Sequence, residues 1–416
     1  MRTRHAARTR AALLTGRVVA GASRRAGQGT GSVIGGRASL LVEPDLLATL
    51  ARGQRVALVS ATNGKTTMTH LLSAAVRAAD PAARVATNAE GANMGPGLVA
   101  ALGATPDATT AVLEVDERWL ATVLADVGPA VVVLGNLSRD QLDRTQEVRT
   151  IADGWRDALG RLPTHAVVAN ADDPLVTWAA DGAPRTVWVA PGPLWTLDAG
   201  GCPSCAGRIE FTDTTWRCRS CSFARPDPDV WLDGNDLVWA DGRRLTLDLG
   251  LPGRANRANA ALVLAAADAM GLDVDAAAHA LRSVRDVAGR YRQADVGGAD
   301  VRLLMAKNPS GWQEAIDMLR PAPVPLVAAI NARIADGRDP SWLWDVPFEH
   351  LTDRFVVAVG DRKHDLAVRL AYAEVEHAVA RDLIDAVRLL AERAADGVDY
   401  LGNYTAFQDE LDEVGR

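Results

Sequence analysis

The sequence has no uninterrupted apolar run near the roughly 18 residues that a membrane-crossing helix needs, because Arg or Asp breaks even its alanine-rich stretches. A helical membrane protein is excluded on that ground, and a soluble body is expected. Lysine is nearly absent. Of 45 basic residues only three are lysine, at Lys65, Lys307 and Lys363. In a chain so biased towards arginine, a retained lysine marks a place where a compact ammonium does what a rigid guanidinium fork cannot. Two of the three fall inside the motifs described below. Acidic residues are missing from 1–42, which hold eight Arg, so the remainder is more acidic than the net charge of -7 implies. Arg17 interrupts the only apolar run near the start, which fits a secretory signal poorly, although an arginine-rich, acid-free start also suits a mitochondrial presequence. The segment is then either a solvated helix or a basic, amphipathic arm for an anionic surface.

With 416 residues, 48% of them hydrophobic, the chain can bury more than one core, and two or three domains are expected. Residues 46–53 suggest a short helix. Apolar strand candidates follow at 56–60, 85–86, 111–115, 130–134 and 166–168, separated by Ala/Leu-rich helical stretches. Such alternation predicts an α/β fold with a mostly parallel sheet covered on both faces. Residues 198–227 break the pattern with four cysteines and look like an insertion. Helices are expected at 258–270 and 274–284, and a second set of strands at 301–305, 326–330 and 355–359. The predicted organisation is a basic arm over 1–45, a central domain over 46–294 and a smaller C-terminal α/β domain over 295–416, with a boundary at the glycines after Val296. No repeat is visible.

Ala61-Thr62-Asn63-Gly64-Lys65-Thr66-Thr67 lies between a predicted strand and a predicted helix, where backbone N–H groups and the helix dipole together form an anion site. Lys65 would neutralise the outer phosphates of ATP, and the Thr66 hydroxyl would face Mg²⁺. Val59 stands where the ordinary Walker pattern has its first glycine. The other reading is a turn that happens to contain Gly-Lys-Thr.

The four cysteines form two Cys-x-x-Cys pairs, Cys202/Cys205 and Cys218/Cys221, with twelve residues between them. Each pair can wrap one side of a tetrahedral ion, so a zinc ribbon is expected, with Zn²⁺ structural because four thiolates leave no open position. Two disulfides are the alternative, disfavoured for a Mg·ATP enzyme of a reducing compartment. Nucleic-acid binding by the ribbon has little support, since the segment has few clustered cations.

The phosphate loop resembles that of the Mur ligase and folylpolyglutamate synthetase superfamily, where Gly usually stands at the place of Ala61. Further motifs follow in the superfamily's order. Glu114 matches its Mg²⁺ carboxylate, and Asn136 to Asp143 resembles its Asn-x-x-x-Asp-His-Leu-Asp segment, with Gln141 in place of the His. Asn256-Arg257-Ala258-Asn259 resembles the adenine-contact motif, and Arg290 the linker arginine that reaches the phosphates. Asn88 to Met94, Ala306-Lys307-Asn308-Pro309, the cysteine insertion and Ala335 to Trp342 together resemble the MurT family of synthetase subunits.

That resemblance implies a Mur-ligase-type central domain with ATP, Mg²⁺ and Zn²⁺, and ATP-dependent amidation of the D-glutamate carboxylate of the lipid II stem peptide to D-isoglutamine, in the cytoplasm at the inner face of the membrane. Barely 45 residues precede the ATP domain, too few for the domain that holds a uridine diphosphate, so a lipid-linked precursor is the expected acceptor. Lys307 would meet phosphate or the activated carboxyl. Asn88, Glu90, Asn93, Asp140 and Asp143 are candidates to orient substrate or metal, or are local caps. A GatD-type glutaminase partner would supply ammonia, with the loop 331–344 lending a carboxylate to its Cys and His. Asp336 is the first candidate, Asp339 the second and Asp345 the third; the simpler reading of Asp336 is a turn former. The rival readings are a folylpolyglutamate-type or other Mur-like amino-acid ligase, and a nucleotide-gated binding protein.

Overall fold

The computed structural model describes residues 2–26, 31–88, 91–139, 148–161, 166–285, 291–393 and 397–414. Two compact units emerge, one of Met1–Ser138, Glu147–Leu251 and Ala255–Arg285, the other of Arg139–Gln146, Pro252–Arg254 and Asp286–Arg416.

The first unit is built on a nine-stranded sheet ordered Arg244–Thr246, Asp236–Trp239, Val230–Asp233, Thr186–Ala190, Ala166–Asn170, Val131–Leu134, Arg55–Ser60, Thr110–Glu114, Val85–Thr87. The seven strands from Val230–Asp233 to Val85–Thr87 run parallel. Val131–Leu134, Thr110–Glu114 and Ala166–Asn170 are buried at every residue, as strands covered on both faces must be. Apolar side chains from these strands and from the flanking helices, with Trp155 wholly enclosed, make one core. The two outer strands are antiparallel additions.

The arm is not a free solvated helix. Arg2–Arg25 and Ser32–Val42 form an antiparallel helical pair, with the Ser39 hydroxyl donating to the Ala12 carbonyl at 3.0 Å and Arg8 reaching Glu43 at 3.2 Å. Small residues permit the approach, because a Cβ on Gly35 would stand 2.6 Å from the Gly16 carbonyl oxygen. The second helix in turn seats on Gly95–Ala104, where a Cβ on Gly36 would stand 1.9 Å from the carbonyl oxygen of Pro96. Among the described residues no helix is long and apolar enough to cross a membrane.

The cysteine segment sits in the crossover between two neighbouring parallel strands, Thr186–Ala190 and Val230–Asp233. It holds the antiparallel pair Ile209–Phe211 and Trp216–Cys218, with its own small core of Ile209, Trp216 and two cysteines. Trp216 donates from its indole to the Ala171 carbonyl at 2.9 Å, and Arg225 pairs with buried Asp172 at 2.5 Å, which fastens the segment to the large sheet.

The second unit has a six-stranded sheet ordered Tyr291–Val296, Ala299–Met305, Val398–Gly402, Leu326–Ala329, Val356–Val359, His377–Val379, parallel except for the first strand. Gly297 and Gly298, expected at a domain boundary, form the turn of a hairpin inside this unit, at φ 61° and 87°. The strand Val398–Gly402 carries Asp399 with no exposure, satisfied by Arg302 at 2.9 Å and by the Arg320 backbone N–H at 2.6 Å. Removing either partner of such a buried pair costs about 3–5 kcal/mol.

Candidate functional site

The strand Arg55–Ser60 places the phosphate loop at the carboxyl edge of the large sheet, between the ends of Thr110–Glu114 and Val131–Leu134. Open α/β sheets bind ligands at this edge. The loop is held from the side by Asn136, whose carboxamide accepts the Asn63 N–H at 2.9 Å and donates to the Asn63 carbonyl at 3.0 Å. Thr62 and Ser138 bond reciprocally, hydroxyl to carbonyl at 3.1 Å and N–H to hydroxyl at 3.0 Å. Gly64 then turns into the helix Lys65–Ala79 at φ 81°. Glycine is favoured there by the positive φ, and a Cβ would lie 2.6 Å from the Asn259 amide oxygen and force that side chain aside.

At the start of that helix the Thr66 hydroxyl donates to Glu114 Oε2 at 2.8 Å. Asn93 donates to the other carboxylate oxygen at 3.0 Å, and Asn88 brackets the Glu114 backbone with two bonds of 2.8 Å. The structure thus brings Thr62, Asn63, Gly64, Lys65, Thr66, Thr67, Asn88, Asn93 and Glu114 together, all of them buried except the half-buried Asn93. A hydroxyl and a carboxylate so paired are hard oxygen donors suited to Mg²⁺. The Lys65 ammonium reaches the carbonyls of Ala61 and Thr62 and pairs with Glu117 at 2.8 Å. Glu117 was not among the residues singled out from the motifs. Its backbone carbonyl is fixed by the Trp155 indole at 2.7 Å, and its only sequence signal is the acidic run Glu114, Asp116, Glu117. Burial pushes Asp116 up, but hydrogen bonds and charge from Arg118 hold its carboxyl below the usual carboxylate range. Asn256 lies half-buried one turn before Asn259 in the helix Arg254–Ala269. Arg290, Glu90, Asp140, Gln141 and Asp143 lie outside the described residues.

Behind this edge, Asp173 caps the helix Pro174–Ala180 and accepts the Leu137 N–H at 2.8 Å, tying the Asn136 segment to the neighbouring strand. Complete burial pushes its pKa up to about 6 despite three backbone hydrogen bonds from Leu137, Val176 and Leu175.

Cys202, Cys205, Cys218 and Cys221 converge in the ribbon with all four sulfurs within 4.8 Å of one another and none in a disulfide. Cys202 and Cys221 are 3.7 Å apart at Sγ, Cys205 and Cys218 3.5 Å. A tetrahedron with metal–sulfur bonds of about 2.3 Å has edges of about 3.8 Å, so the cluster has the dimensions of a metal site. Backbone N–H groups of Gly207 and Ser220 point at Cys205 and Cys218 at 3.4 and 3.3 Å, as in thiolate-binding turns.

In the second unit the carboxyl edge of the six-stranded sheet gathers Lys307, Asn331, Asp336 and Asn403. Lys307 is exposed, with its ammonium 5.1 Å from the Tyr404 ring centre. Asp336 is buried. It accepts the Thr405 N–H at 2.9 Å, the Thr405 hydroxyl, and the Arg333 N–H at 3.3 Å. It does sit in a turn, with Gly337 following at φ 85°, but its carboxylate also holds the first turn of Tyr404–Val414, a contact that no local motif predicts. Asp339 is exposed and accepts the Ser341 N–H at 2.9 Å, which lowers its pKa. Asp345 pairs with Arg139 at 3.2 Å.

A family model described as Mur ligase middle domain matches residues 59–190, and one described as MurT ligase C-terminal matches 305–407. The "Lipid II isoglutaminyl synthase (glutamine-hydrolyzing) subunit MurT" of Streptococcus pneumoniae is 31% identical over 371 residues, 82% of each chain. Its namesake from Staphylococcus aureus strain COL is 27% identical over 428 residues, 95% of each chain. Among solved structures, a pseudomurein peptide ligase type C from Methanothermus fervidus aligns over 89% of this chain and 81% of that one, with a TM-score of 0.67 at 16% identity. The Mycobacterium tuberculosis folylpolyglutamate synthase complexed with ADP aligns over 89% and 93%, with a TM-score of 0.60 at 17% identity. At those identities the two structures speak for the fold alone.

Proposed function

Since the chain belongs to the MurT family of ATP-dependent, Mur-ligase-like synthetase subunits, we propose that it amidates the D-glutamate carboxylate of the lipid II stem peptide to D-isoglutamine. The carboxylate oxygen attacks the γ-phosphorus of ATP, ADP leaves, and ammonia displaces phosphate from the acyl phosphate with loss of a proton. The observation that carries this reading is the convergence of Lys65, Thr66 and Glu114 at one helix start, with Thr66 Oγ1 and Glu114 Oε2 2.8 Å apart. Bound Mg²⁺ would offset charge on the transferred phosphoryl group, with Thr66 and Glu114 as its protein oxygens. Lys65 supplies the compensating cation for the phosphates, exchanging its Glu117 partner for them. Asn256, Arg290 and Lys307 are assigned to the adenine, the phosphates and the activated carboxyl.

The four thiols fit Zn²⁺, held as a closed structural centre that clamps the ribbon. Ammonia comes from a GatD-type glutaminase subunit, with Asp336 as the carboxylate behind its His and Asp339 or Asp345 as the alternatives; the words "glutamine-hydrolyzing" and "subunit" in the relatives' names support such a partner. An amino-acid ligase is not favoured, because the relatives matched over 82–95% of the chain are MurT subunits, while amino-acid ligases such as the UDP-N-acetylmuramoylalanine–D-glutamate ligase of Synechococcus sp. match over 68% of it. Work at the inner face of the membrane follows from a lipid-linked acceptor. Acceptor-dependent ADP release with glutamine plus partner, with ammonium, and with glutamate decides the matter. Release with the first two alone is expected, and release with glutamate would refute the amidation reading.

A further inference from the structure

The N-terminal helical pair leaves an outer face that the fold does not cover. In Arg2–Arg25 the inward positions Ala12, Gly16 and Ser23 are buried, while Ala7, Ala11, Leu14, Val18 and Ala22 follow a three-to-four-residue spacing on the opposite side and are exposed. Leu14 and Val18 are each 64% exposed. By helical geometry Arg10, Arg17 and Arg24 lie along one side of this stripe, with Arg17 bonding the Gly103 carbonyl at 3.3 Å; Arg25 lies in line with the stripe, and Arg8 on the other side pairs with Glu43. In the second helix Val33, Ile34 and Leu41 are exposed, Leu41 by 86%, on either side of an exposed Arg37. A helix ordinarily exposes its polar face. Here exposed apolar side chains and exposed arginines share the outward side of both helices, and no acidic residue occurs before Glu43, which is itself buried beside Arg8.

We propose that this outward side of the pair seats on an anionic phospholipid bilayer, with Leu14, Val18 and Leu41 in the head-group boundary and Arg10, Arg25 and Arg37 on lipid phosphates. An aqueous polyanion would account for the arginines and not for the leucines. An apolar protein partner would account for the leucines and not for exposed arginines with no acidic residue before Glu43 among them. A bilayer of acidic lipids offers both chemistries in the same order, apolar below charged. The placement has a use. The pair is locked through Gly36 onto Gly95–Ala104, the helix that directly follows the Asn88–Met94 segment bracketing Glu114. Seating the pair would hold the Glu114 edge of the large sheet close to a membrane-borne substrate, and this purpose, though not the binding itself, rests on the lipid II reading.

The test is sedimentation of the full chain with vesicles of phosphatidylglycerol and phosphatidylcholine, set against phosphatidylcholine alone. Binding to the mixed vesicles, released by salt, is expected. Arg10→Glu with Arg25→Glu should weaken it at least about 25-fold, at about fivefold for each arginine lost. Leu14→Ser, Val18→Ser and Leu41→Ser together should weaken it by about tenfold or more. These positions are exposed, so both variants should keep wild-type amidation of a water-soluble stem peptide. Vesicle binding without amidation of any acceptor would uphold the surface and remove the lipid II reading. Equal binding to phosphatidylcholine alone, indifference to either set of substitutions, or a wild-type dimer that the serine variant dissociates would overturn the proposal.

Discussion

Asp336→Asn separates two roles that the geometry assigns to one carboxylate. In the fold, Asp336 accepts the Thr405 N–H through one oxygen and the Thr405 hydroxyl and a long 3.3 Å bond from Arg333 through the other. Asparagine keeps the first bond. Its NH₂ can donate to the Thr405 hydroxyl, which accepts as readily as it donates. What is lost is the weak Arg333 bond and the negative charge at the N-terminus of Tyr404–Val414, together about 1–2 kcal/mol. Loss of a carboxylate behind a catalytic His instead costs a factor of about 10⁴, or ~5.5 kcal/mol of barrier. The gap between these magnitudes makes the test decisive. Glutaminase turnover of the complex should fall by three to four orders of magnitude on the scale of about 10⁴, while amidation driven by concentrated ammonium salt survives. Asp336→Ala should in addition lower thermal stability, because it strands the Thr405 N–H at a cost of about 1–3 kcal/mol. If ammonium-driven and glutamine-driven amidation fall together, Asp336 serves ATP or acceptor. If neither falls, it only anchors the helix, and Asp339 or Asp345 takes its place as the shared carboxylate.

Lys65→Ala should reduce ADP release by about 100-fold or more. It also leaves Glu117 buried without a cation, so Lys65→Ala with Glu117→Gln should recover most of the stability and none of the turnover, read by calorimetry and coupled ADP assay; ADP release that stays unchanged refutes the phosphate-loop assignment. Purified protein should carry about one zinc per chain by elemental analysis, and Cys218→Ser should lower the melting temperature before it lowers ATP turnover; two disulfides and no metal would reject the site. Asp173 has a folded pKa near 6 against an ordinary 3.8, so its contribution is full below about 4 and is lost as pH rises through about 6, a change of ~3 kcal/mol. Urea titrations from pH 4 to 7 should therefore show the wild type losing stability relative to Asp173→Asn over that window, and a constant difference would contradict it.

The elements legible in the sequence are those whose physics is local. Val56 to Ser60 followed by Gly-Lys-Thr declares a strand, an anion turn and a helix within a dozen neighbours, and the paired cysteines declare their own convergence. What stayed hidden depends on distant partners. Glu117 matters because the fold brings it under Lys65, and Asn259 because its amide fills the space beside Gly64. Thr405 lies 69 positions from Asp336. The strand Val398–Gly402 escapes periodicity because a fully buried aspartate sits inside it, tolerable only where Arg302 and Arg320 converge. The pairing of Arg2–Arg25 with Ser32–Val42 leaves little trace in the sequence because its inward face is glycine, alanine and serine, small residues that give no strong apolar periodicity yet let two helices meet.

The position of the cysteine ribbon bears on how the chain reaches its fold. Thr186–Ala190 and Val230–Asp233 are adjacent parallel strands, so the whole segment between them must loop out before their pairing can reward it. Long closures slow folding more than they weaken the final state. A cation gathering Cys202, Cys205, Cys218 and Cys221 would divide that excursion into short spans and bring its two ends back towards one another. Metal supply would then govern the pace at which Val230–Asp233 and the two strands beyond it join the sheet, while the phosphate loop, built on strands nearer the N-terminus, assembles without waiting for it.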